Sequence, residues 1–407
     1  MDMSQYGSGS GAAPTVAPAG GDGGGGDGLP GPRDAPGRRG PGGTGKPGGF
    51  GRSRRSGIKG RQGLWGWLFV SPMVVVLGLF LLVPIGMALW VSLLNWNGQS
   101  NPFTSAADFV GVRNYADVLT KDGLDRTQFM TSVRNNLYYV LLVVPLQTVL
   151  SLALATAVNS RRVKGKGLLR TIFYFPSVTS SIAISTVFLF LFQGSGAVNA
   201  LLKWVGLKGP KWFTDAHGLV WTILGAVGIV DPDRPVGALA SHGFLGLSWW
   251  DWLSGPSIAM CTIILLAVWT TSGTYMLIFL AALQDVPVEL EEAATLDGAG
   301  RWQSFRHVTL PAIRPVLFLV LTLGLIGSWQ VFDAVYVMSQ GAPANTTLTP
   351  AFLSYTAGFQ DSSYGRAAAI AFILLAIIVV MTLVQRVLLR DRDKPARLVR
   401  SLRRRTS

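Results

Sequence analysis

Cysteine is almost missing from this chain. The single one, Cys261, lies inside an apolar run and has no partner for an intrachain disulfide. Cysteine usage therefore carries no redox information. Histidine is nearly as scarce. His217, His242 and His307 are scattered, without metal-ligand spacing, which argues against a metal site. Charge is low: 14% of residues are charged against 49% hydrophobic, and mean hydropathy is +0.39. Soluble domains rarely combine such values, so composition points to a polytopic membrane protein. A phosphate-binding GxxxxGK[ST] loop is also missing. GSGSG (7–11) and GGGG (23–26) lack the lysine that neutralises phosphate and the strand–loop–helix setting. The acids of the polar segments do not recur with Ser or His partners, so no catalytic constellation is visible.

Glycine, by contrast, is concentrated at one end, where residues 1–63 hold 22 of the 49 glycines with proline, serine and arginine between them. A segment of that kind buries too little apolar area to offset its ordering entropy, and the composition predicts disorder. Its basic end, GRSRRSGIKGRQG (51–63), abuts the first apolar run and reads as an orientation signal. That run is far too long for the core of a secretory signal peptide.

A helix needs about 20 apolar residues to cross the hydrocarbon core. Six uncharged windows of that order occur, at 64–94, 135–160, 171–192, 257–283, 315–332 and 367–385. GLVWTILGAVGIV (218–230) is too short and glycine-interrupted to be a seventh, and belongs to an outer insertion at about 195–256. Cytoplasmic segments are rich in Lys and Arg. With the N-terminus inside, the inner segments hold 26 of the 35 basic residues, with dense patches at 161–170 and 397–407. The bias predicts an all-α polytopic membrane protein: six transmembrane helices, both termini cytoplasmic, preceded by a disordered Gly-rich tail and followed by a basic tail from 391. It also accounts for the net charge of +14 as orientation, not nucleic-acid binding. The outer segments are then 95–133, 193–256 and 339–365; Trp249, Trp250 and Trp252 suit a membrane–water interface.

The inner loop at 285–311 is the most informative stretch. Asp285 or Val286 can start a short helix, with Pro287 at its first position and Glu289 in the first turn. Asp297–Gly298 breaks it, because glycine adopts a left-handed turn at little cost. RWQSFRHV resumes as a second helix, and Leu310–Pro311 leads back into the membrane. Glu292 offers a fixed carboxylate, and the small Ala293 and Ala294 permit close approach of a partner.

Here the sequence resembles a known family. Glu292-Ala293-Ala294, three residues, Gly298, nine residues, then Val308-Thr309-Leu310-Pro311 is similar to the EAA loop of permease subunits of ABC importers that use a substrate-binding protein. Only the isoleucine of the family's Ile-x-Leu-Pro differs, as Val308. FVGVRNYADVL (109–119), GLLRTIFYFPSV (167–178), WQVFDAVYVMSQGAP and YGRAAAIAFILL resemble the carbohydrate-uptake branch, close to the larger of two paired permeases for maltose-like, trehalose-like or glycerol-phosphate-like solutes. Together they cover most of residues 60–390; the glycine-rich tail and an outer insertion at about 209–250 are extra.

The resemblance implies a multi-pass protein of a prokaryotic cell membrane that is not itself an enzyme. A dimer of ABC ATPase subunits would dock at 287–307 and hold ATP and Mg, with no cofactor in this chain. A second permease, expected to be a different chain with a homodimer left open, and an extracytoplasmic substrate-binding protein are implied too. By the same resemblance Glu292, Ala293, Ala294, Asp297, Gly298, Leu310 and Pro311 transmit ATPase closure to the membrane helices. Rigid-body motion of those helices then alternates access to a site near the midplane.

Polar residues inside spans are costly in hydrocarbon and usually face a bundle interior. The fourth window carries Thr270, Thr271, Ser272 and Tyr275; the fifth carries Ser328, Trp329, Gln330 and, at its outer edge, Asp333. Gln330 and Asp333, three apart, fall on one helical face. Thr271, Tyr275, Ser328, Gln330 and Asp333 are the candidate solute contacts, SVTSS (177–181) and Gln147 weaker ones. Thr and Ser can instead bond back to their own helix. Two rivals stay open: an ABC permease for a non-sugar solute, and an ATP-independent secondary transporter. The latter more often buries a charged residue mid-span, and none of the six windows does.

Overall fold

The computed structural model describes residues 60–104, 107–160, 163–232, 234 and 238–389. Most of the glycine-rich tail and the basic C-terminal end lie outside the described residues. The first helix starts at Gly60, three residues before the expected end of that tail at 63. It comprises α1 (Gly60–Leu77), a π-helical turn (Gly78–Leu82) and α2 (Val83–Ser92), and its Trp65–Ser92 stretch is 28 residues of apolar rod.

A small clasp follows. Strand β1 (Leu94–Asn95) pairs antiparallel with β2 (Asp108–Phe109), Leu94 opposite Phe109. Helix α3 (Arg113–Leu119) sends Asn114 back, its Nδ2 donating to the carbonyls of Ser92 and Leu94 at 2.8 and 2.9 Å. The second long helix, α4 (Leu124–Asn159), begins eleven residues before the apolar window. Its first turns, LDRTQFMTSVR, carry Asp125 at the positive N-terminal end and bury Phe129 and Met130. An amphipathic start of this kind is helical but not uniformly apolar, so an uncharged window misses it.

The third window is not a straight span. Helices α5 (Lys166–Val178) and α6 (Ser181–Leu191) meet at 94°. Thr179 and Ser180 between them are extended, and Ser177 Oγ and Thr179 Oγ1 donate to the carbonyls of Tyr174 and Phe175 at 2.7 and 3.0 Å. Hydroxyls competing for backbone carbonyls, next to Pro176 within α5, break the helix.

The insertion comprises α7 (Ala197–Trp204), α8 (Leu219–Ala226), α9 (Ala238–Ser241), a hairpin of β3 (Gly243–Phe244) with β4 (Leu247–Ser248), and α10 (Trp249–Leu253). Eight residues of α8, about 12 Å of helix, fall well short of a membrane crossing.

Helix α11 (Ile258–Gln284), capped by Ser257 Oγ accepting from Met260 N at 3.1 Å, packs along α4 as the central pair. The inner loop then forms α12 (Val288–Leu296), α13 (Arg301–Ser304), a π turn (Phe305–Thr309) and α14 (Leu310–Ala312). The run Arg301–Ala312 meets α15 (Arg314–Trp329) at 72°. After Trp329 come α16 (Asp333–Met338), α17 (Pro350–Tyr355), a π turn (Thr356–Gln360) and α18 (Tyr364–Leu388). By length and composition the described residues hold four helices able to cross a membrane, and two bent pairs.

The clasp locks α18 in place. Gly365 backs onto the Leu94 carbonyl so closely that a Cβ would overlap it, and Arg366 bridges Asp125 at 2.6 Å and Asp361 at 2.5 Å. Because the obstacle is backbone, Gly365→Ala is expected to cost about 2–3 kcal/mol. A thermal melt in detergent unchanged from wild type would contradict this.

Candidate functional site

Two places hold the candidate residues: the loop at 285–311 and a cavity beside the α5–α6 break. In the loop, Pro287 is the N-cap of α12 and Val288 its first residue, one position later than the sequence indicates. Glu289 and Glu291 occupy the first turn, favourable at the positive end of the helix. Asp297 caps the other end and Gly298 follows at φ +80°. Gly298 N donates to Thr295 O at 3.0 Å and Ala299 N to Ala294 O at 2.9 Å, the paired bonds of a Schellman ending.

Adjacent acids differ in their contacts, though both are exposed. Glu291 Oε1 accepts from Thr309 Oγ1 at 3.3 Å, tying α12 to the π turn. Glu292 is exposed, as are Ala293, Asp297, Gly298 and Leu296, the last at 89%. Ala294 is half-buried. Leu310 and Pro311 sit in α14, where Leu310 packs into a buried cluster with Ile313, Leu283 and Val158. The loop is thus rooted in the membrane helices at one end and presents an uncovered helix at the other.

The cavity has a volume of about 440 Å³ and lies where the α5–α6 break meets the junction between α15 and α16. From the α5–α6 break come Ser177, Thr179, Ser181 and Ser185; from α11, Thr270, Thr271, Thr274 and Tyr275; from the end of α15 onward, Gln330, Phe332 and Asp333. Sequence spacing puts Gln330 and Asp333 on one helical face, and the structure corrects this. Helix α15 ends at Trp329, Gln330 is its C-cap, and Asp333 begins α16, so the two reach the cavity from separate elements. Ser328 is buried and is not among the cavity walls.

Thr270 and Thr271 each donate to carbonyls of their own helix, Leu266 O at 3.0 Å and Ala267 O at 2.7 Å, yet both line the cavity. Thr271 Oγ1 is also 2.7 Å from Gln147 Oε1, so its single proton is shared between that oxygen and Ala267 O, and the contact joins α11 to α4. Gln147 is buried against Gly324 of α15, and its Nε2 has no hydrogen-bond partner among the described residues. Ser185 Oγ is likewise buried without one. The wall therefore offers hydroxyl and amide groups beside the Phe332 and Tyr275 rings.

The matches to known proteins centre on the same region. Residues 147–394 match the family described as binding-protein-dependent transport system inner membrane component. The chain belongs to this family. Its relatives include an arabinooligosaccharides transport system permease protein of Halalkalibacterium halodurans, 32% identical, with 69% of this chain and 75% of that protein covered. A lactose transport system permease protein of Rhizobium radiobacter is 28% identical, covering 80% and 94%. A trehalose/maltose transport system permease protein of Thermococcus litoralis is 28% identical, covering 80% and 93%. A solved bacterial ABC transporter involved in the import of the polysaccharide alginate shares the fold, with TM-score 0.61 at 21% identity over 83% of this chain and 98% of that one.

In this family member the insertion is built onto the N-terminal part of α4. Arg134, buried, donates from Nε and Nη2 to Asn135 Oδ1 at 3.3 and 3.0 Å and from Nη1 to Asp251 O at 3.3 Å. Asn135 Nδ2 donates to Asn345 O at 2.7 Å and Leu348 O at 3.0 Å. Trp221 stacks on Trp250 at 4.2 Å, both buried, and donates to the Trp250 carbonyl at 3.1 Å. Trp250 thus faces protein, while Trp249 is exposed. Sequence reasoning missed Ser185, Thr274 and Phe332 as cavity residues; the hydroxyl run SVTSS was the available signal for the first of the breaks.

Proposed function

We propose that this chain is the membrane-spanning permease subunit of an importer that carries a sugar or sugar-like solute inward. The bent pairs count as one span each, which gives six spans with both termini cytoplasmic. ATP is hydrolysed in separate ATPase subunits docked on the exposed face of α12, and ATP and Mg belong to them. A second permease completes the solute path, and an extracytoplasmic binding protein delivers the solute. The observation that carries the sugar reading is the cavity: hydroxyls, an amide and aromatic rings together where the α5–α6 break meets the end of α15, in a family whose similar members are named for lactose, arabinooligosaccharides and trehalose/maltose. Discontinuous helices are a recurrent way to build a mid-membrane site, because freed backbone groups face a cavity instead of lipid.

Each residue has a role in this reading. Gln330 and Thr271 exchange hydrogen bonds with solute hydroxyls, Tyr275 and Phe332 offer apolar rings, and Asp333 accepts at the outer side. Glu292 anchors the ATPase while Ala293 and Ala294 let it approach, and Leu310–Pro311 passes the movement into α15. Gln330→Ala is expected to lower sugar uptake about tenfold, the effect of losing one buried hydrogen-bond pair of ~1.4 kcal/mol. ATPase co-purification should stay intact. Unchanged uptake across a panel of sugars would remove Gln330 from the path.

A further inference from the structure

We infer that α7 and the segment returning from it form an interfacial foot, seated on anionic phospholipid headgroups at the outer membrane surface. The inference rests on the proposed spans, which put the far end of α6 on the outer side, and not on the nature of the solute. The foot is a built unit. Only residues 192–196 separate α6 from α7, and Gly196 backs onto the Phe190 and Leu191 carbonyls so closely that a Cβ would overlap both. The chain turns at Gly206, φ +83°, and folds back, Leu207 N donating to Leu202 O at 2.8 Å. Trp212 Nε1 then donates to Asn199 Oδ1 at 2.8 Å, and its ring meets Phe192 edge-on at 4.9 Å. Shortly after, Gly218 pairs with Ser257, the N-cap of α11. The unit is therefore tied to the ends of two proposed spans.

One face of α7 is used in this packing: Val198, Asn199 and Leu202 are half-buried. The other face is bare. Leu201, Trp204, Val205 and Leu207 are exposed, Trp204 at 86%. Leu201, Trp204 and Val205, three and four residues apart, form one apolar stripe. Charge says what covers it. Residues 193–214 contain Lys203, Lys208 and Lys211 and no acid, and none of these lysines has an acidic partner among the described residues. A hollow of about 450 Å³ lies beside the stripe, walled by Ser195, Asn199, Lys203 and Lys208. Two ammonium groups at a polar hollow, next to an apolar stripe, match a phosphate head above its acyl chains. Lysine stems lie along apolar surface with their heads in water, and a Trp ring with a wet indole N–H suits the same depth. The four apolar side chains offer on the order of 500 Å², short of the ~800 Å² per side of a standard protein–protein interface.

A bimane fluorophore attached through Trp204→Cys, in a Cys261→Ser background, tests this in the assembled importer. The complex is reconstituted in phosphatidylcholine vesicles. The quencher is phosphatidylglycerol or phosphatidylcholine carrying a doxyl group near the top of an acyl chain. Both lipids are expected to quench, and aqueous iodide is not. Each lysine near an anionic surface contributes a factor of about five, so Lys203 and Lys208 together should enrich phosphatidylglycerol about 25-fold. The double variant Lys203→Gln with Lys208→Gln should erase that preference and leave quenching by phosphatidylcholine. A label attached through Leu201→Cys should read the same, which keeps the result independent of losing Trp204. Quenching by iodide and by neither lipid overturns the proposal. So does shielding from iodide and lipid alike, which would assign the face to the second permease or the binding protein. Equal quenching by the two lipids, or a preference that survives in the double variant, also overturns it. The readout needs no transport, so its failure is distinct from a failure of the sugar reading.

Discussion

Gly298→Pro is expected to strip the ATPase from the purified complex and reduce uptake to background, while the chain still inserts at normal abundance. Gly298 occupies φ +80°, where proline, fixed near −65°, cannot go. Proline also deletes the N–H that bonds Thr295 O at 3.0 Å, and it disfavours the helical conformation of Asp297 before it. The Schellman ending of α12 then unravels, at a cost of about 3 kcal/mol or more. Nothing lies within 4 Å of where a Cβ would be, so Gly298→Ala meets no steric obstacle, only the left-handed backbone. That costs about 1–2 kcal/mol, and Gly298→Ala should keep most of its ATPase. The contrast separates a lost turn from a lost contact. If Gly298→Pro binds ATPase normally, the loop is not the coupling element.

Gly273→Val is expected to have the largest effect on stability. Gly273 lies on α11 where α5 crosses it, and a Cβ would overlap the Phe173 carbonyl and crowd the Tyr174 Cα. Both obstacles are backbone, so no side-chain rotation relieves them. Thr274 and Tyr275 of the same turn line the cavity, as do Pro176 and Ser177 of α5. Forcing the helices apart costs about 3 kcal/mol or more and reshapes the wall as well. Thermal unfolding in detergent should show a lowered midpoint, with uptake lost beyond what reduced abundance explains. Wild-type melting would mean that the two helices do not meet at this glycine.

How much was legible follows from the range of each signal. The turn at Asp297–Gly298 is local chemistry, and it appears where the dipeptide implies, with the helix start displaced by one residue at Pro287. Apolar windows mark where helices cross, but they carry no information on straightness. An uncharged run at 171–192 looks the same whether it is one rod or two helices at 94°. The same blindness placed Gln330 and Asp333 on one face, although α15 ends between them. The opposite error affected α4, whose polar first turns are helical because they pack, with Phe129 and Met130 buried. Contacts between distant segments had no local sign at all. Arg134 reaches Asp251 across 117 positions, and Trp221 meets Trp250 only once the insertion has folded.

Affinity purification of the tagged wild-type chain in mild detergent, followed by reconstitution into liposomes, tests the central claim most directly. An ATP-binding subunit and a second permease are expected to co-purify, and sugar should accumulate only when ATP and the binding protein are both supplied. If the chain comes down alone and carries solute without ATP, it is a stand-alone transporter, and the account of the inner loop is wrong.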